Sequence, residues 1–191
     1  MKTSILTILA YFIMCSVSYA SDVYITQSGA SLTANINQDG QTNRFGVSGT
    51  VVTLTGDSQV LDIDQIGNTN TIAASLIGAI QEFTLRQAGS SNTSTVSVGS
   101  NSASGDNSII ETITGSSNTT TVNVGNSAST DDADIDLTAT GDSNTITINE
   151  NSTASMVGSD KKITSITAIG SSNTITSTHT GAADQDTTLH H

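Results

Sequence analysis

Six asparagines, Asn43, Asn70, Asn92, Asn118, Asn144 and Asn173, each stand three residues after a glycine, and three glutamines, Gln38, Gln65 and Gln87, each stand two residues before one. A primary amide carries two donors and an acceptor, so its chemistry here is self-complementary: copies held one above another can each donate to the next along a line. The full motif, Q-x-G-x-x-N, runs from Gln38 to Asn43, from Gln65 to Asn70 and from Gln87 to Asn92. Its glycines are Gly40, Gly67 and Gly89; Gly115, Gly141 and Gly170 open near-copies without the leading Gln, and Gly56 and Gly78 open units in which Gln59 and Gln81 take the amide position.

Catalytic and metal chemistry find little footing. His179 falls at a nominally inward position near the chain end, yet with His190 and His191 it reads as a solvated tail residue rather than part of a metal site. Asp131, Asp132, Asp134 and Asp136 lack the spaced glycine-aspartate repeat of calcium-binding β-rolls and read as a solvated acidic loop. Asp62 and Asp64 would share an outer strand face about 7 Å apart, with no companion acid. No serine has a candidate base, no G-x-S-x-G elbow occurs, and no glycine sits in a phosphate-cradling motif followed by a helix. The expectation is a protein without catalytic residues, metal or cofactor.

The elements that must position the amides follow from the spacing. Gly56, Gly67, Gly78 and Gly89 recur every eleven residues. Between them Gln59, Leu61, Ile63 and Gln65, then Asn70, Ile72, Ala74 and Leu76, then Gln81, Phe83, Leu85 and Gln87 occupy alternate positions, with mostly polar residues in between. Period two means strands with one buried side, and glycine is expected to make the turns by adopting positive φ. Two strands and two turns return the chain to its starting side, giving an all-β solenoid of stacked strand-turn-strand rungs, about 22 residues each and roughly 4.8 Å apart. Six or seven rungs fit after Ser21.

The rhythm is broken in places. Gly40 to Gly56 spans sixteen residues, which places an enlarged turn or bulge near Gly46 to Thr50. After Gly89 the signature glycines are separated by 26, 26 and 29 residues, so each rung carries an insert, around Gly99 to Asn107, Gly125 to Asp132 and Asn151 to Asp160. Inward pairs stay legible as Ile135 with Leu137 and Ile166 with Ala168. Strict counting, however, buries Glu111 between Ile109 and Ile113, which is costly without a partner, so either the register shifts there or the count does. Ala182 to His191 shows no repeat and is expected to fray.

Residues 1–20 read as a signal peptide: Lys2, an apolar run from Ile5 to Val17, and small residues at Ser18 and Ala20 before the cut. The repeat domain is then 21–178, with a disordered tail over 179–191. The single cysteine, Cys15, leaves with the leader, so disulfides and cysteine metal sites are excluded. Against seventeen acidic residues stand four basic ones once Lys2 is gone, a balance that repels nucleic acid and anionic membranes. Nothing after the leader is apolar enough for membrane insertion.

The Q-x-G-x-x-N motif with its half-period of eleven resembles the curlin repeat of bacterial curli subunits. That resemblance implies a secreted subunit of an extracellular functional amyloid in biofilm matrix, exported through an outer-membrane pore and polymerising with itself, with a nucleator subunit as a further partner. One outer-face pattern points elsewhere: Thr93 and Thr95, Thr119 and Thr121, Thr145 and Thr147, and Thr174 and Thr176 would form a flat array resembling the ice-binding faces of some β-solenoid antifreeze proteins. An adhesin or phage-fibre shaft is a third possibility. Threonine also simply suits exposed strands.

Overall fold

A computed structural model describes residues 21–46, 51–78, 80–99, 107–125, 133–151, 161–180 and 184–190. The proposed signal peptide lies outside the described residues. The strands are, in chain order, β1 (Ser21–Val23), β2 (Thr26–Ser28), β3 (Ser31–Asp39), β4 (Thr42–Phe45), β5 (Val52–Thr55), β6 (Ser58–Ile66), β7 (Thr69–Ile77) and β8 (Ile80–Ala88). They continue as β9 (Ser91–Val98), β10 (Asn107–Thr114), β11 (Ser117–Val124), β12 (Ala133–Thr140), β13 (Ser143–Asn151), β14 (Lys161–Ile169), β15 (Ser172–Thr180) and β16 (Asp184–His190).

They form two parallel sheets. One stacks β1 with β2, β4 with β5, then β7, β9, β11, β13 and β15; the other stacks β3, β6, β8, β10, β12, β14 and β16. The chain alternates between the sheets, so it is a β-solenoid, as the periodicity predicts. Alternation along each strand decides the rest: Leu61, Ile63, Ile72, Leu76, Phe83 and Leu85 point inward and are fully buried, while their neighbours face out. On the outer face Arg86 forms a two-pronged ion pair with Asp64 one level below, at 2.8 and 3.2 Å, and Asn35 donates to Asp62 at 3.4 Å. Both aspartates are thereby engaged with neighbouring levels.

The register shows extra residues where the spacing places the enlarged turn or bulge, although residues 47–50 themselves lie outside the described residues. Phe45 pairs with Ile72 and Val52 with Ala74, so β4 and β5 lie along one strand, β7, with more residues between them than the single Ala73 on β7. Gly46, just after β4, has φ 67°, a conformation that costs other residues about 1–2 kcal/mol. Gly99 and Gly125, just after β9 and β11, have φ 66° and 65°.

Two expectations change. The tail does not fray throughout: Asp184–His190 is a strand, paired in parallel with β14 and placing Leu189 level with Ile166. The open edge of β14 supplies a row of backbone partners, and pairing with it needs no repeat motif in the added strand.

The turn glycines also act for a different reason. Of Gly40, Gly56, Gly67, Gly78, Gly89, Gly115, Gly141 and Gly170, only Gly78 has positive φ, at 155°. They form two vertical columns, and a Cβ on Gly56, Gly67, Gly78, Gly89, Gly115, Gly141 or Gly170 would lie 1.6–2.0 Å from the carbonyl oxygen of the glycine one level below. Close stacking of one arc on the next, rather than turn conformation, excludes a side chain. Each level is also tied to the next through the arc itself, as where Gly89 N donates to Thr114 O and Gly115 N to Thr140 O, both at 2.9 Å.

Candidate functional site

The arcs that lead from the second sheet to the first are two residues long in all six copies, and each is followed by an inward asparagine. Asn43 Nδ2 donates to Asn70 Oδ1 at 3.1 Å, Asn70 to Asn92 at 2.9 Å, Asn92 to Asn118 at 2.9 Å, Asn118 to Asn144 at 2.7 Å and Asn144 to Asn173 at 2.8 Å. Each of the first five also donates to the carbonyl just before the glycine one level up, for example Asn92 to Thr114 O at 3.0 Å and Asn118 to Thr140 O at 3.1 Å. One side chain therefore continues the ladder and ties the arc above it. The five lower asparagines are buried and Asn173, on the terminal level, is half-buried.

A second ladder stands at the other side of the same arcs. Gln65 Nε2 donates to Gln38 Oε1 at 2.6 Å and Gln87 Nε2 to Gln65 Oε1 at 2.9 Å. Their amides also reach across the arc to the opposite sheet, to Arg44 O, Thr71 O and Thr93 O. The two ladders run in opposite senses, asparagine donating toward the C-terminal end of the stack and glutamine toward the N-terminal end. The glutamine ladder stops where Ile113 takes the next place, and Ala139 and Ala168 follow it. Gln59 and Gln81, beside the opposite arcs, form no ladder: both polar atoms of Gln59 and the Oε1 of Gln81 are buried without a partner.

Sequence counting left Glu111 unresolved, and the structure shows that the count was right. Glu111 pairs level with Leu85 and Leu137 and is buried. Across the core Ser94 Oγ donates to its Oε1 at 3.0 Å and Thr120 Oγ1 to its Oε2 at 3.3 Å. Burial nevertheless dominates, pushing the carboxyl up to about 7 against the smaller opposing effect of the two hydroxyls. A signal existed: Ser94 and Thr120 are the hydroxyl-bearing members of the inward series on β9 and β11.

A second interior cluster lies at the C-terminal end. Glu150 is fully buried; Thr164 Oγ1 donates to its Oε1, and His179 Nδ1 lies 3.0 Å from its Oε2. His179 Nε2 is 2.8 Å from Ser177 Oγ and 3.1 Å from Thr187 Oγ1. His179, expected to be solvated, is thus an inward residue with only 16% of its side chain exposed, and Ser177 does have an imidazole beside it, contrary to the sequence reading. The missed signal was proximity: inward residues on one strand are two apart, and Glu150 lies one level below. Hydroxyl, imidazole and carboxylate stand here in the order of a hydrolytic relay. Two hydroxyls share the one ring nitrogen, however, and the row belongs to the solenoid interior.

On the outer face the threonines align as expected. Thr93, Thr119, Thr145 and Thr174 stand in one column and Thr95, Thr121, Thr147 and Thr176 in the next. Asp134 and Asp136 are exposed on β12, whereas Asp131 and Asp132 lie outside the described residues. Among the described residues no group of three His, Cys, Asp or Glu is placed to hold a metal ion. No known family model matches the chain, and no curated protein or solved structure matches it.

Proposed function

We propose that the chain is a secreted structural subunit of a curli-like extracellular amyloid fibre that self-assembles end to end by stacking of β-rungs. The observation that carries this reading is the asparagine ladder, which runs through six levels of an in-register parallel stack. Cross-β assemblies use the same arrangement, identical amides directly above one another in a hydrogen-bonded column. Among the described residues no strand lies beyond β1–β2 and β3 at one end or beyond β15 and β16 at the other, whereas natural solenoids that stay monomeric cover their terminal levels. Such a subunit has no catalytic role; its partners are other copies, a nucleator and an outer-membrane pore. The test is to incubate residues 21–191 and follow fibres by electron microscopy and thioflavin fluorescence. Asn70→Ala and Gln87→Ala should each slow growth, and unchanged kinetics in both would count against the ladder.

A second reading is favoured by one observation, the two threonine columns on β9, β11, β13 and β15. Six of these eight residues are exposed and Thr121 and Thr147 are half-buried. Neighbouring hydroxyls are about 4.8 Å apart along the stack and about 7 Å apart along the strand, a flat and regular surface that could order water as ice does. Thermal hysteresis from monomeric protein, without filaments, would replace the fibre reading by this one.

A further inference from the structure

The two ends of the stack are cut in opposite phase. The N-terminal end adds a strand to the first sheet, β1 with β2, and the C-terminal end adds one to the second, β16. Every other level has a strand in both sheets. The inward hydrophobics that stay only partly buried lie on the terminal strands: Val23 and Ile25 on the β1–β2 segment, Leu32, Ala34 and Ile36 on β3, and Ile175 on β15. Leu189 on β16 is 41% exposed. Gln27 Oε1, on β2, is buried and has no partner.

We infer that β16 of one copy and β1–β2 of the next are the two halves of a single rung, so that copies join head to tail without a break in either sheet. This rests on the fibre reading and specifies its junction. The ladder pairings fix the register. Val23 heads the column that ends at Ile175, and Gln27 the column that ends at His179. Ile36 heads the column that ends at Leu189. A following copy therefore sets Val23 on Ile175, Gln27 on His179 and Ile36 on Leu189, and the half-exposed rows become interior. Ser21 to Ser28 and Asn173 to Thr180 are equally long in this register. Neither segment has extra residues like those between β4 and β5, so the two can pair residue for residue.

Cysteine cross-linking tests the junction. Thr26 and Thr178 are exposed; inside one copy they are six levels, roughly 29 Å, apart, but across the junction their Cα atoms fall about 4.8 Å from each other, within disulfide range. Oxidising the Thr26→Cys/Thr178→Cys form of residues 21–191 should give a ladder of covalent multimers. Thr26→Cys/Thr174→Cys, displaced by about 13 Å along the strand, should give none, nor should Thr178→Cys alone. Fibres seen by microscopy that link through Thr178→Cys alone, through the displaced pair or not at all overturn the shared rung and leave the fibre reading standing. No fibres and no links overturn both.

Discussion

The levels from β3 to β9 and those from β10 to β15 share one backbone plan and are filled differently. In the first group both arcs are short, glutamines stand beside the asparagine arc, and the inward rows between the amides are apolar apart from Ser94. In the second group the asparagine arc is unchanged, but the opposite arcs give way to segments 100–106, 126–132 and 152–160. Ile113, Ala139 and Ala168 replace the glutamines, and two carboxylates, Glu111 and Glu150, enter the core. A single tightly stacked edge thus keeps the register of the whole solenoid. The other edge can vary in length, and the core can take acidic side chains where hydroxyls on the facing sheet meet them.

The largest effect should come from the shared edge. Gly141→Ala would place a Cβ 1.7 Å from Gly115 O, and since backbone must move it should cost about 3 kcal/mol or more. Gly99→Ala, at a left-handed position where an insert begins, should cost about 1–2 kcal/mol. Urea unfolding that gave equal losses would remove the distinction between the edges.

Glu111 probes the second group. Its carboxyl is raised to about 7, above an unfolded value of about 4.3. Between those values the folded chain keeps a proton that the unfolded chain releases, so this stabilisation is full below about pH 4 and is lost as pH rises through about 7, roughly 4 kcal/mol in all. Unfolding midpoints from about pH 4 to 8 should fall accordingly, and Glu111→Gln should remove that part of the dependence. An unchanged profile in the variant would place the titration elsewhere.

Smaller effects separate laddered amides from isolated ones. Asn118→Ala removes the bonds to Asn144 and Thr140 and leaves Asn92 Nδ2 without its side-chain acceptor, which should cost about 2 kcal/mol. Gln59→Leu removes two buried, unpartnered polar atoms and should be neutral or stabilise by about 1 kcal/mol. A loss at Gln59 as large as that at Asn118 would mean that the opposite edge carries a ladder as well.

Much of the site was legible beforehand, because an in-register parallel stack repeats each sequence position one level higher. Counting from the glycines put Leu61, Phe83 and Ile135 inside, aligned the six asparagines and placed extra residues between Phe45 and Val52. The reason for the glycines was misread, since a single copy of the motif shows a turn but not the carbonyl beneath it. The last strand was missed because β16 borrows the edge of β14 and carries no motif of its own.

Spacing and alternation in the sequence determined the rungs, their inward rows and the vertical alignment of the amides, all of which depend on neighbours along the chain or on equal positions in successive copies. Only the tertiary structure decided which way each ladder donates, that Ser94 and Thr120 meet Glu111, that Ser177, His179 and Glu150 adjoin, and that the ends are cut in opposite phase. Those relations join residues across the core or between unlike positions of adjacent levels, and no periodicity encodes them.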